Sequence, residues 1–148
     1  MNEFFNNARY TVNCGDLLAI LEDLSNEQLL GKIQLSSSGE IYGFVNLSPT
    51  LVASLIAYIS TLTREDDFSS LELCFERSNV TLTVRGDILT KTQDMNKLSR
   101  LADMAGFDTI YARGALIFSA KVITSPTLEI YALELRRLKA IFDQYFKK

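Results

Sequence analysis

Leu71-Glu72-Leu73-Cys74-Phe75-Glu76 and Val80-Thr81-Leu82-Thr83-Val84-Arg85, joined by Arg77-Ser78-Asn79, are two runs in which apolar and polar residues alternate strictly. Successive side chains of a strand point to opposite faces, so the spacing predicts a β-hairpin with one face on a core and the other facing water. A sheet buried on one side needs a cover, and the flanking chain supplies helices. Upstream, Leu51, Val52, Leu55, Ile56, Ile59 and Leu62 give a wide apolar face to a helix starting at Pro49. Ser48 is placed to cap its first N–H groups, and Pro49 at the first position loses no hydrogen bond. Downstream, Met95, Leu98, Leu101, Ala102 and Ala105 recur every three or four residues and predict a helix over 92–105, closed by Gly106.

Farther out, Leu17, Leu18, Ile20, Leu21 and Leu24 behind Gly15-Asp16 predict a first helix over about 15–30. Lys32–Ser36 and Ile41–Leu47 read as two strands around a Ser37-Ser38-Gly39 turn. Thr109–Ala112 and Ala115–Val122 read as another hairpin across Arg113-Gly114. Ser125-Pro126 breaks this strand and leads into a last helix with Leu128, Tyr131, Leu135, Leu138, Phe142 and Tyr145 at heptad a and d spacing. The fold class expected is α+β, a two-layer sandwich with a mostly antiparallel sheet covered by helices, plus the C-terminal helix. Residues 1–126 form the expected α+β domain and 127–148 a helix that either joins it or dimerises. Ile130, Leu133, Ile141 and Phe146 lie off the heptad seam, so the helix is expected to seek a partner helix or a second copy, with the six seam residues as the contact.

The composition narrows the chemistry. The 148 residues include no His, which removes the commonest general base, zinc ligand and physiological pH switch. Cys14 and Cys74 stand alone, without a CxxC motif. Net charge is −3 and the pI about 5.0, so the chain has no overall attraction for nucleic acid or anionic lipid. The longest apolar stretch, Leu51–Leu62, falls short of the ~20 residues of a membrane span. Met1–Tyr10 shows no secretory signal pattern. A cytoplasmic chain with no metal, cofactor, nucleic-acid or membrane partner is expected.

Glu65-Asp66-Asp67 reads as a solvated turn; Glu72 and Glu76, which could approach each other, read as a solvent-facing strand edge; Arg85-Gly86-Asp87 spells an integrin tripeptide in a chain with no mark of secretion.

Residues 15–123 resemble the ATP-binding domain of the GHKL group, which includes histidine kinases, gyrase and MutL. Ser54-Leu55-Ile56-Ala57-Tyr58-Ile59 lies where that family's N-L-x-x-N-A helix motif falls, and Val80 to Asp87 lies where its D-x-G-x-G strand falls. Gly106-Phe107-Asp108-Thr109-Ile110 and Gly114-Ala115-Leu116-Ile117-Phe118 resemble the closing hairpin. The resemblance implies a kinase-like ATPase fold, and the departures imply that nucleotide binding is lost. Tyr58 stands where the magnesium-holding Asn belongs, Ser54 where the first Asn belongs, and Asp87 is one residue late for the adenine. No glycine-rich lid separates Ile88 from Met95. The expectation is a non-catalytic regulatory or scaffold protein of bacterial signalling, not an enzyme, working through protein contacts. The alternative is a roadblock-type dimerising platform for small GTPases, matched by a helix-hairpin-helix-hairpin order over 15–86.

Overall fold

In the computed structural model, residues 8–31, 33–62, 69–76, 78–86, 92–112, 114–123 and 133–146 are described. They form β1 (Tyr10–Asn13), α1 (Cys14–Asn26), β2 (Ile33–Gly39), β3 (Phe44–Leu47), α2 (Pro49–Leu62), β4 (Ser69–Phe75), β5 (Asn79–Gly86), α3 (Thr92–Ala105), β6 (Asp108–Ala112), β7 (Ala115–Ile123) and α4 (Leu135–Phe146). The hairpin that decides the fold is formed as expected. Leu71 pairs with Val84, Leu73 with Leu82 and Phe75 with Val80, and all six side chains are buried. The sheet runs β1-β3-β7-β5-β4-β2, with β6 also on β7, and among the described strands only the β2–β4 pairing is parallel. It is an α+β fold with helices over a mostly antiparallel sheet.

Local chemistry sets the boundaries. The Leu51 N–H donates to Ser48 Oγ (3.4 Å), and the Val52 N–H to the Ser48 carbonyl (2.9 Å), so Ser48-Pro49 opens α2 as expected. Gly106, at φ +118, ends α3 in a Schellman motif: its N–H donates to the Asp103 carbonyl (3.2 Å) and the Phe107 N–H to that of Ala102 (2.9 Å). The Ser48 N–H then donates to the Ala105 carbonyl (2.8 Å), tying the end of α3 to the start of α2. Phe107 is thereby delivered to the core, its ring tilted against that of Phe118 at 6.1 Å between centroids.

Three expectations about the first half are corrected. β1 was missed, because four residues carry too little alternation to stand out. Helix α1 stops at Asn26, not 30: Gln28 takes φ +61, and the Leu29 N–H closes back on the Leu24 carbonyl at 2.9 Å. Ser37-Ser38-Gly39 is no turn, since these residues belong to β2, laddered to β4, while β3 lies across the sheet between β1 and β7. A parallel β2–β4 pair needs a crossover connection, which the intervening chain containing β3 and α2 provides.

Candidate functional site

The flank that the resemblance singles out on the 49–62 helix lies where α2 packs against α3. α2 is buried along Leu51, Val52, Leu55, Ile56 and Ile59, leaving Ser54 and Tyr58 half-buried on its flank. Across from it, Leu98, Ala102 and Ala105 of α3 are buried, and the two alanines let the helices approach closely. Tyr58 packs against the core, and Lys97 Nζ sits 4.5 Å from the centroid of its ring. The chain thus fills this flank with an aromatic face and its own cation, a contact worth about 0.5–1 kcal/mol at an exposed site. Neither side chain offers an oxygen of the amide type suited to a hard cation. Among the described residues no group of three His, Cys, Asp or Glu could hold a metal ion. Gly86 ends β5 opposite Ser69; Asp87 and 88–91 lie outside the described residues. Nothing in the sequence marks Lys97, because its meeting with Tyr58 depends on how α2 and α3 pack.

Of the six expected partner-binding residues, Leu138, Phe142 and Tyr145 pack within the chain. Leu138 and Phe142 are each 1% exposed in the common core, and Tyr145 packs against it half-buried. Leu135 keeps 37% of its surface, while Leu128 and Tyr131 lie outside the described residues. α4 packs on α1 and α2. For three of the off-seam residues the need of another molecule is corrected: Ile141 is 0% exposed, Leu133 is buried, and Phe146 packs against the same core, while Ile130 lies outside the described residues. Positions 138, 141, 142, 145 and 146 make a broad stripe, the signature of a helix docked on a globular core, wider than a coiled-coil seam. The Leu133 N–H donates to the Thr11 carbonyl (2.7 Å), and Lys139 Nζ lies 3.6 Å from Asp23 Oδ2.

The other candidates separate. Glu72 and Glu76 do not approach as a pair, since four residues of extended strand span about 13 Å. Glu65-Asp66-Asp67 lies outside the described residues. Cys14 opens α1 fully buried, and desolvation pushes its thiol up to about 11, so it is protonated and inert at neutral pH. No described helix is long and apolar enough to cross a membrane.

No protein-family model and no curated protein matches the chain. Among solved structures it is similar to the cytoplasmic segment of histidine kinase QseC, with 13% identity, 79% of each chain covered and a TM-score of 0.48. It is also similar to a histidine kinase from Burkholderia phymatum, at 13% identity over 77% of this chain and 71% of that one, TM-score 0.46. The catalytic domain of histidine kinase ThkA is 7% identical over 85% of this chain and 99% of that one, TM-score 0.45. The expectation that the chain is not an enzyme is corrected here: the solved structures it is similar to include ones described as the catalytic domain of a histidine kinase. The helix, hairpin, helix and closing hairpin implied by the resemblance are present as α2, β4–β5, α3 and β6–β7, and the likeness is one of histidine-kinase-like fold.

Proposed function

We propose that the chain is a signalling module of histidine-kinase-like fold that works through contacts with other proteins, with Tyr58 and Lys97 occupying the α2–α3 flank in place of a nucleotide. The observation that carries this reading is the Tyr58 ring lying beneath the Lys97 ammonium on the flank where the resemblance puts a metal-bridged triphosphate. Large side chains left in water, Ile110 and Tyr111 on β6 and Met104 on α3, support a surface suited to protein contact. The roadblock reading loses its basis, because β2 and β3 do not pair with each other.

Thermal unfolding with and without millimolar magnesium-ATP tests the proposal. A ligand that binds only the folded state at 100 times its Kd adds about 2.7 kcal/mol, a shift no melt would miss. The expected result is an unchanged midpoint. Dose-dependent stabilisation, abolished by Tyr58→Trp, would overturn the reading.

A further inference from the structure

A groove of about 450 Å³ runs between α1 and β2, lined by Ala19, Glu22, Asp23 and Asn26 on one side and Leu35, Ser36 and Ser37 on the other, with Ser25 at its end. Leu35 and Ser37 point to one face of the sheet and Ser36 to the opposite face, so a groove touching all three lies along the strand's edge. That edge is the last in the described sheet: β2 is laddered to β4 and to no other described strand. Gln34 and Ser36 to Gly39 are exposed. Natural edge strands are ordinarily blunted by Lys, Pro, a bulge or a covering element. The sequence Ile33-Gln34-Leu35-Ser36-Ser37-Ser38-Gly39 contains no Lys or Pro, and its register with β4 runs unbroken over seven residues.

We propose that this edge takes an extended, basic segment of a partner protein, which adds a strand to β2 while its Lys or Arg side chains reach α1. Edge backbone groups supply affinity in this mode of recognition, and pockets for alternate side chains supply selectivity. Among the described residues the lining carries two carboxylates, Glu22 and Asp23, and no cation, and both carboxylates are exposed. Lys139 stands 3.6 Å from Asp23 on the α4 side, which leaves Glu22 as the principal anchor for an incoming cation. Ser36 and Ser37 are small enough to let a second backbone come alongside. A second copy of this chain is disfavoured as the occupant, because pairing two β2 edges brings Glu22 and Asp23 of both copies together.

The inference rests on the reading that the chain acts through protein contacts, and its test leaves that reading separately exposed: a magnesium-ATP shift would sink the reading without touching the groove. The full chain is titrated with a blocked hexapeptide of alternating lysine and valine, followed by backbone amide NMR. Binding with shifts centred on residues 33–39 is expected, weakened about tenfold by Glu22→Lys, an exposed substitution the helix tolerates. The same peptide N-methylated at alternate backbone nitrogens is expected to lose binding, which loss of charge attraction alone would not produce. Equal binding of the methylated peptide, equal binding of a glutamate-valine hexapeptide, shifts located elsewhere, or no binding at all would overturn the proposal. So would β2 amides that shift with protein concentration in the absence of peptide, which would assign the edge to a second copy.

Discussion

Single positions carry much of the local definition of this fold. Gln28 holds φ +61, a conformation that costs an L-residue with a Cβ about 1 kcal/mol and that Gly adopts freely. Its side chain is exposed, so Gln28→Gly is expected to stabilise the chain by about 0.5–1 kcal/mol in urea unfolding, with no change in slope. Gly39 shows the reverse constraint: at φ +92, an added Cβ would run into the Phe75 carbonyl oxygen where β2 meets β4. Cys14 gives a pH signature. Its thiol ionises near 11 when folded but near 9.0 when unfolded, so its contribution is complete below pH 9 and is lost as pH rises towards 11. The full loss is about 2–3 kcal/mol, and it is read as the difference in alkaline stability profiles between the native chain and Cys14→Ala. The caps at Ser48 and Gly106 were legible because they depend on a few neighbours in sequence; the turn at Gln28 was not, because a Gln there carries no glycine signal.

At the scale of elements, α4 is the informative case. Truncating Phe142, which is buried between α4 and the helices α1 and α2, is expected to cost about 3–5 kcal/mol in Phe142→Ala. Lys139→Ala removes an ion pair whose two side chains are half exposed, and is expected to cost under about 1 kcal/mol. The two denaturation midpoints together separate a docked helix from one held by surface charge: if Phe142→Ala were as mild as Lys139→Ala, α4 would not be part of the core. The amphipathic character of this helix was readable from its spacing. What its apolar stripe meets was not, because a stripe records only that something must cover it. The same limit produced the false β2–β3 hairpin, where two short apolar runs around Ser-Ser-Gly look alike whether they pair with each other or with distant strands.

Across the whole molecule, sheet position orders local stability. β5 and β7 are hydrogen-bonded on both sides, β4 lies between β5 and β2, and β1, β2 and β6 are edges among the described strands. Native-state hydrogen exchange is expected to protect β5 and β7 amides most, at close to the global unfolding free energy, with the outer amides of β2 and β6 exchanging by local opening. Protection of β2 equal to that of β5 would mean its edge is already covered. The sequence by itself determined the elements with strong periodicity, the α+β class and the absence of histidine chemistry, since each follows from residue type and spacing along a few turns or strand steps. Only the tertiary structure decided which strands adjoin, that Lys97 lies over Tyr58, that α4 packs on its own core, and that β2 is an edge among the described strands, with Glu22 lining the groove beside it. Those are contacts between segments far apart in the chain, and their energies depend on relative placement that no local window contains.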